Sequence, residues 1–332
     1  MERPFRSTPL LWNKRLVPIA CLGLLLLSGC NRDPQRRRIA VVPKATSHLF
    51  WQSVHAGVVA AGRDMKVDIL WNSPSVETDF SRQIQIVDSM IVQRVDGLAV
   101  AASDRTALNA SLDRAAQLGI PVTVFDSGVD STRYMTFLAT NNYEAGQMGG
   151  RKMAELIGGK GKVAMVLHMP GSYSTMERER GFEDTVKKEF PAIRIVARQY
   201  GMSDRSKSMA AAENMLTANP DLQGIFCSTE PSSTGTALAL KERGLAGKVK
   251  FVAFDSSENM TEDLRAGVID AMVVQDPFKM GYESVKTLVD KLNGKSPAKK
   301  IDLSARVVTK ADLAMPDVHA LLFPDLKKYL NE

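Results

Sequence analysis

Two aspartates stand at corresponding points of two similar segments of the sequence. Residues 124–127 (VFDS) and 253–256 (AFDS) each place Asp-Ser after a short apolar run. A carboxylate accepts two hydrogen bonds from neighbouring hydroxyl groups of one sugar, and such charge-assisted bonds are stronger than neutral ones. Each aspartate could instead cap the N-terminus of a helix. The repetition favours a ligand contact for both Asp126 and Asp255.

A family resemblance given below implies a place in the ligand site for several other side chains, whose chemical types suit a hydroxylated ligand. Phe50 and Trp51 offer flat faces to the apolar side of a sugar ring, although either could pack in a core under a helix. Arg178 presents a fork of hydrogen-bond donors, but the alternating charges of residues 177–180 would also suit a solvated helix face. Gln275 has both a donor and an acceptor, so it could serve either wall of a site.

The same resemblance implies a place in the site for two side chains close to the first predicted strand. His48 could bind a hydroxyl group or cap the helix that follows it, and Lys44 could bind a sugar acid or simply be exposed. The chain has no nucleophile elbow, phosphate loop or dinucleotide fingerprint, and its four histidines lack metal-ligand spacing. We therefore expect no enzymatic activity, no metal and no cofactor.

The elements that would position these residues alternate along the chain. Strands are predicted at 39–42, 67–71, 97–101 and 121–125, and again at 162–167, 193–197, 224–227, 249–254 and 271–274. Amphipathic helices are predicted at 80–91, 108–115, 175–190, 203–218, 232–243, 259–266 and 277–292. This alternation predicts two doubly wound α/β units with parallel sheets. Ligands bind beyond the carboxyl ends of such strands, so Asp126 and Asp255 are expected on opposite walls of one cleft.

The N-terminal segment indicates export. Basic residues at positions 3, 6, 14 and 15 precede an apolar stretch at 16–27, which is too short to span a bilayer and is typical of a signal peptide. An uncleaved membrane anchor is the alternative. In either case the rest of the chain would work outside the cytoplasm. A repressor role is excluded, because the N-terminal segment is a secretion signal and not a DNA-binding helix-turn-helix.

The formal charge of +6 is concentrated near the N-terminus. Residues 1–29 carry +3 and residues 30–38 carry another +3, so the remainder is formally neutral and nucleic-acid binding is not expected. The arginines at 36–38 would lie near anionic lipid headgroups or in a solvated linker. Cys227 stands in an apolar run, which predicts a buried thiol and no disulfide in the exported protein.

Residues 27–30 (LSGC) resemble the lipobox of bacterial lipoproteins. The resemblance implies that residues 1–29 are a cleaved signal peptide and that Cys30 carries a lipid on its sulfur. Residues 30–38 would then form a tether. The protein would be anchored to a membrane outside the cytoplasm, in the periplasm or the cell envelope.

Residues 39–310 resemble the type I periplasmic sugar-binding proteins of the ribose-binding group. The matching motifs are residues 48–51 (HLFW) followed by Gly57, residues 125–126 (FD), residues 139–142 (ATNN), Arg178 before Gly181-Phe182, residues 254–255 (FD), and Gln275. The resemblance implies two lobes joined by a hinge of three crossings, comprising residues 39–141 with 276–302 and residues 142–275 with 303–332. It implies ligand-binding roles for Lys44, His48, Phe50, Trp51, Asp126, Ser127, Arg178, Thr229, Glu230, Phe254, Asp255 and Gln275.

The sequence departs from the ribose binders at several of these positions. Ser127 replaces an arginine, and residues 229–230 (TE) replace an asparagine that precedes an acidic residue. His48 replaces an asparagine, Lys44 replaces a small hydroxyl residue, and Ser203 stands where an extra aromatic would be. These changes predict a sugar acid or a larger polyol rather than ribose.

The expected function is that of a monomeric, extracytoplasmic solute-binding lipoprotein. It would capture a small sugar or polyol by closure of the hinge and deliver it to the permease of an ABC-type importer. The alternative is a sugar-sensing lipoprotein that reports to a chemoreceptor or a sensor kinase. Both functions would use the same pocket and would differ in the surface that the partner contacts.

Overall fold

The structure is a computed structural model, which describes residues 36–46 and 48–330. The predicted signal peptide, the lipidation site Cys30 and most of the predicted tether lie outside the described residues.

Two six-stranded sheets form the framework of the fold. The first contains β1 (Arg38–Val42), β2 (Asp68–Trp71), β3 (Gly97–Val100), β4 (Val122–Phe125), β5 (Thr136–Thr140) and β11 (Lys300–Leu303). The second contains β6 (Gly161–Leu167), β7 (Ile193–Tyr200), β8 (Gly224–Cys227), β9 (Lys250–Phe254), β10 (Ala271–Val274) and β12 (Arg306–Val308). We call the first sheet with its helices the first lobe, and the second sheet with its helices the second lobe.

The two sheets repeat one topology. Their strand orders are β11-β5-β4-β3-β1-β2 and β12-β10-β9-β8-β6-β7, so each strand of one sheet has a counterpart at the same place in the other. The two sheets differ in the direction of one edge strand, since β11 runs parallel to β5 whereas β12 runs antiparallel to β10. The predicted fold of two doubly wound α/β units is confirmed.

Helices cover the faces of both sheets. The first lobe has α1 (Leu49–Met65), α2 (Phe80–Val92), α3 (Asn109–Gln117) and α9 (Pro277–Leu292). The second has α4 (Asn142–Leu156), α5 (Tyr173–Glu189), α6 (Arg205–Ala218), α7 (Glu230–Glu242), α8 (Glu258–Ala266), a 3₁₀ helix (Lys310–Ala314) and α10 (Pro316–Leu322). Within the residues that the structure describes, no helix is long and apolar enough to cross a bilayer.

The chain passes between the lobes three times. It leaves β5 and enters α4 at Asn141, whose side chain caps that helix by accepting a hydrogen bond from the backbone of Glu144. It returns between β10 and α9 at residues 275–276, and passes over again between β11 and β12 at residues 304–305. A last short helix, α11 (Lys327–Leu330), then lies against α1 of the first lobe.

The ends of three predicted segments differ from the structure. Arg38, assigned to the tether, is already the first residue of β1, because its backbone N–H binds Asp96 at 2.7 Å and its ladder continues into β2. Leu303, assigned to the second lobe, pairs with Thr140 in the first sheet. The C-terminal residues were also assigned to the second lobe, yet Arg63 of α1 donates to the carbonyl of Tyr329 at 3.1 Å.

Four glycines set the distance between two packed helices in each lobe, α1 and α9 in the first and α4 and α5 in the second. A Cβ on Gly57 of α1 would lie 2.0 Å from the carbonyl oxygen of Phe278, and one on Gly281 of α9 would lie 2.1 Å from that of Val54. In the second lobe, a Cβ on Gly181 of α5 or on Gly146 of α4 would meet the carbonyl oxygens of Tyr143 and Arg178 at 2.1 and 2.0 Å. Only glycine permits backbones to approach so closely.

Cys227 lies in β8 within the core of the second lobe and is fully buried, as the sequence predicts. Burial raises the pKa of its thiol to about 12. The thiol is therefore protonated at neutral pH and is not a nucleophile.

Candidate functional site

The two repeated aspartates have the same backbone geometry. Asp126 follows β4 with φ of 58°, and Asp255 follows β9 with φ of 65°, both in the left-handed region that non-glycine residues seldom adopt. Each donates its backbone N–H at 2.9 Å to a carbonyl beside it, that of Leu138 for Asp126 and that of Val273 for Asp255. The helices that follow in the chain are capped by Asn141 and Ser257 instead. Neither aspartate therefore caps the helix that follows it in the chain, although Asp255 accepts a hydrogen bond from the backbone N–H of Glu230, the first residue of α7.

A small cavity of about 30 Å³ lies between the carboxyl ends of the two sheets. We call it the inner cavity. Ten of the twelve predicted site residues line it, namely Lys44, His48, Phe50, Trp51, Asp126, Arg178, Thr229, Glu230, Asp255 and Gln275. The cavity therefore has walls from both lobes, with one of the repeated aspartates in each.

The other two predicted residues lie behind this lining. Ser127 is fully buried, and its hydroxyl oxygen accepts a hydrogen bond from the backbone of Ser174 at 3.3 Å. The ring of Phe254 lies beneath the guanidinium of Arg178, at 4.1 Å from the ring centroid, and so supports that cation from below. Neither residue reaches the cavity.

Sequence reasoning missed five residues that also line the inner cavity: Glu77, His168, Ser174, Thr175 and Pro231. His168 directly follows β6, so the strand-end rule that selected the aspartates would also have selected it. Glu77 lies in the loop between β2 and α2, where no strand end marked it.

Lys44 is held by its own protein. Its ammonium lies 3.3 Å from a carboxylate oxygen of Asp126 and donates to the hydroxyl groups of Ser172 and Ser174, each at 3.1 Å. The side chain is only 3% exposed. Binding of an anionic sugar would require Lys44 to exchange these partners, so its geometry gives no support to the expectation of a sugar acid.

Glu77 and His168 form a buried contact between the lobes. One oxygen of Glu77 accepts a hydrogen bond from the Trp51 indole at 3.0 Å, and the other lies 2.9 Å from Nε2 of His168. Burial by itself would raise the pKa of Glu77, but His168 and the charge of Lys44 outweigh it and hold that pKa well below its usual range. The carboxylate is therefore ionised and fixes the Trp51 ring beside the cavity.

Arg178 is a buried residue of the site and not part of a solvated helix face. Its Nε donates to the side chain of Asn142 at 2.8 Å, and one terminal nitrogen donates to the carbonyl of Ser228 at 3.0 Å. The neighbouring Arg180 is exposed, as a solvated face would require. Two neutral oxygens thus orient the guanidinium, which lies 4.0 Å from Asp255.

Gln275 links two of the crossings to the second-lobe aspartate. Its amide nitrogen donates to Asp255 at 2.7 Å, and its amide oxygen accepts from the hydroxyl of Thr140 at 2.6 Å. The other oxygen of Asp255 accepts from the backbone N–H of Glu230 at 3.1 Å. Burial raises the pKa of Asp255, in spite of these bonds and of the charge of Arg178.

The aromatic residues and His48 complete the first-lobe wall. Trp51 is buried, with its ring edge-to-face with Phe50 at 4.9 Å and with Phe125 at 6.4 Å between centroids. His48 occupies the N-cap position of α1 but forms no side-chain capping bond with the described residues of that helix. Its Nε2 instead lies 3.1 Å from the hydroxyl of Ser203 in the second lobe.

Glu179 buries a carboxyl group immediately behind the cavity. It accepts hydrogen bonds from the backbone of His168 at 3.0 Å and from the hydroxyl of Ser228 at 2.8 Å. Burial nevertheless raises the pKa of Glu179 to about 7. Its protonated form is therefore favoured more strongly in the folded protein than in the unfolded chain.

The raised pKa of Glu179 predicts a loss of stability with rising pH. The stabilising contribution is fully present below pH 4.5 and is lost as the pH rises through about 7, with about 1.4 kcal/mol removed by each pH unit in between. We expect Glu179→Gln to remove this decline, so that wild type and variant diverge by up to about 3 kcal/mol between pH 4.5 and 8. Urea unfolding across this range measures it. An exposed control, Glu242→Gln, should follow the wild type, and parallel curves for Glu179→Gln would contradict the assignment.

Comparison with known proteins places the chain in a family. Residues 39–296 match the periplasmic binding protein domain. A ribose import binding protein of Bacillus subtilis is 26% identical over 311 residues, which cover 90% of this chain and 99% of the relative. A D-ribose/D-allose-binding protein of Pseudomonas aeruginosa is 27% identical over 296 residues, which cover 86% and 92%.

Solved structures agree with this result. A carbohydrate transporter solute binding protein from Agrobacterium radiobacter, in complex with D-arabinose, is 31% identical with a TM-score of 0.84, covering 87% of this chain and 99% of that one. An ABC transporter solute binding protein from Agrobacterium vitis with bound D-fucose is 32% identical with a TM-score of 0.84, covering 86% and 100%. These relatives are binding proteins and not enzymes, in agreement with the expectation from the sequence. The chain therefore belongs to the periplasmic binding protein domain family.

Proposed function

We propose that the protein is an extracytoplasmic solute-binding protein that captures a small sugar or polyol between its lobes and supplies an ABC-type importer. The observation that carries this proposal is the pair Asp126 and Asp255. They have matching backbone geometry at corresponding strand ends, and both line one cavity. The relatives compared above bind ribose, allose, arabinose or fucose, which supports a carbohydrate as the ligand.

The lining favours a neutral ligand over a sugar acid. Among the described residues of the inner cavity, the carboxylates of Glu77, Asp126, Glu230 and Asp255 face only two permanent cations. Both cations already have protein partners, as described above for Lys44 and Arg178. Hydroxyl groups of a neutral sugar can donate charge-assisted hydrogen bonds to such carboxylates, while a ligand carboxylate would add a like charge to the cavity.

Contacts that cross between the lobes imply the mechanism. Lys44 binds Ser172 and Ser174, and Glu77 binds His168, so each pair joins one wall to the other. With about 30 Å³ of free space, the inner cavity admits a ligand only when the walls separate. Bending at the three crossings would separate them, and a ligand that contacts both walls would stabilise a closed form wide enough to hold it.

The predicted segments complete the proposal. Residues 1–29 would be the cleaved signal peptide, Cys30 the lipidated N-terminus and the following residues a tether in the periplasm or cell envelope. Residues 39–141 with 276–302 and residues 142–275 with 303–332 would move as the two lobes, apart from the end corrections described above. Metabolic labelling with a fatty acid should mark the wild type and not Cys30→Ser.

A thermal-shift screen tests the function. We expect D-ribose, D-allose, D-arabinose, D-fucose, D-tagatose or a polyol to raise the melting temperature, because a ligand at about 100 times its Kd stabilises the folded state by about 2.7 kcal/mol. Neutral sugars should outrank sugar acids of the same size. The matched control is the double variant Asp126→Asn, Asp255→Asn, which should lose the response. A flat response of the wild type to every carbohydrate and polyol would refute the proposal.

A further inference from the structure

A second, larger cavity adjoins the inner one. It has a volume of about 440 Å³, within the range of about 300–1,000 Å³ that small-molecule sites occupy. We call it the outer cavity. Phe50, Glu230, Asp255 and Gln275 line both cavities, so one set of side chains forms the boundary between them.

The C-terminal segment forms an apolar wall of the outer cavity. Leu321, Phe323 and Leu326 line it, as does Phe50 of α1. The segment is fixed to both lobes. Leu322 packs in the core of the second lobe, and the carbonyls that follow in α11 accept hydrogen bonds from Arg63 of the first. The wall is therefore a built surface and not a loose end of the chain.

The boundary contains an acceptor without a partner. Glu230 is 1% exposed, and its Oε1 accepts from Arg205 at 2.7 Å and from Thr234 at 3.1 Å. Its Oε2 is buried and has no hydrogen-bond partner among the residues that the structure describes, with Nδ1 of His48 at 3.6 Å. An unsatisfied buried carboxylate oxygen is costly, so a donor from a ligand would relieve it.

The lining of the outer cavity also includes polar groups. Ser256, Ser257 and Asn259 line it at the start of α8, together with Thr234 of α7. A sugar ring has one apolar C–H face and a rim of hydroxyl groups, so it fits between an apolar wall and a wall of hydroxyl and amide groups. The inner cavity offers the same combination of aromatic faces and carboxylates.

We propose that the outer cavity is a subsite for a second sugar unit, and that the ligand is a disaccharide or a larger glycoside. One unit would occupy the inner cavity, with a hydroxyl group donating to the Oε2 of Glu230 that lies beside His48, and the next would lie in the outer cavity. This inference rests on the proposed function. It adds a requirement that sugar binding alone does not impose, namely a ligand longer than one ring.

Titration calorimetry with matched ligands tests the subsite. The probes are D-glucose, D-galactose, D-xylose and D-allose against lactose, melibiose, cellobiose, maltose, gentiobiose and xylobiose. We expect at least one disaccharide to bind about tenfold or more tightly than either of its component monosaccharides. Thr234→Trp, which fills the outer cavity, should abolish that gain.

Two further variants distinguish the filling of the outer cavity from the loss of the Thr234 hydroxyl group and from misfolding. Thr234→Val removes the hydroxyl without adding bulk, so it should retain the preference for the disaccharide. Asn259→Trp introduces bulk at an exposed position that lines the outer cavity and not the inner one. It should abolish the gain and leave monosaccharide affinity within about threefold of wild type, even if Thr234→Trp folds poorly. Binding of monosaccharides with no gain from any disaccharide, or a gain that survives both tryptophans, would overturn the subsite alone. An absence of all carbohydrate binding would overturn the proposed function itself.

Discussion

Replacing Gly146 by alanine is expected to destabilise the protein by about 3 kcal/mol or more and to weaken sugar binding in whatever fraction still folds. The new Cβ would lie 2.0 Å from the carbonyl oxygen of Arg178 and 3.0 Å from its Cα. Both are backbone atoms of α5, so no side-chain rotation relieves the clash. Helix α4 would have to move away from α5, and Arg178 would lose the position that Asn142 gives it.

Gly150 offers a matched control on the same face of α4, one turn further on. A Cβ there would meet the side chain of Thr185 at 3.0 Å and the carbonyl oxygen of Phe182 at 3.2 Å, so a small adjustment suffices. Alanine also restricts the unfolded chain, which offsets part of the cost by about 0.4–1 kcal/mol. Urea unfolding at pH 7 should therefore rank Gly146→Ala far below Gly150→Ala. Equal stability of the two variants would mean that the helices are not held at this distance.

The glycine contacts show a repeat that the sequence conceals. Gly57 and Gly181 are each the ninth residue of their helices, α1 and α5, and Gly281 and Gly146 are each the fifth residue of α9 and α4. Each glycine meets a carbonyl at the corresponding position of its partner helix. The repeat of residues 124–127 at 253–256 was visible in the sequence because the same residue types recur. The matching positions of the four glycines can be recognised only when the first residue of each helix is known.

The missed elements have physical explanations. Helix α4 contains Gly146, Gly149 and Gly150, which lower its helical propensity, and they occur there because α5 and Phe226 pack closely against it. Strand β5 lies only eleven residues after β4, without the intervening helix that predicts a parallel strand elsewhere. The buried strands and the amphipathic helices could be predicted, since one periodicity is enough to mark each of them.

The site was predictable residue by residue but not as a network. Strand-end position and family resemblance selected ten residues that line the inner cavity. The contact of Glu77 with His168 joins residues 91 positions apart across two lobes, and no local pattern encodes such a pairing. The partners of Lys44 are likewise distant in the sequence, so no local pattern reveals them. The lysine that suggested an anionic ligand is already paired with Asp126 within the protein.

Replacement of either aspartate is expected to cost about 2–4 kcal/mol of sugar-binding free energy, which corresponds to a loss of affinity of about 30-fold to 1,000-fold. Asp126→Asn and Asp255→Asn keep the size of the side chain and remove the charge that strengthens hydrogen bonds from neighbouring hydroxyl groups. Asparagine also tolerates the left-handed backbone of both positions, so the strand ends should keep their geometry. Titration calorimetry with the sugar that gives the largest thermal shift measures the loss.

The two variants should differ in stability while they agree in binding. Asp255 has a raised pKa from burial, so a neutral amide at that position relieves the burial of a charge, whereas Asp126 is the partner of the buried ammonium of Lys44. Asp255→Asn should therefore fold as well as wild type, and Asp126→Asn less well. The control is Asp204→Ala, which removes the N-cap of α6 and lines neither cavity, so it should cost about 1 kcal/mol of stability and no affinity. Wild-type affinity in both asparagine variants would mean that the repeated strand ends serve the fold and not the ligand.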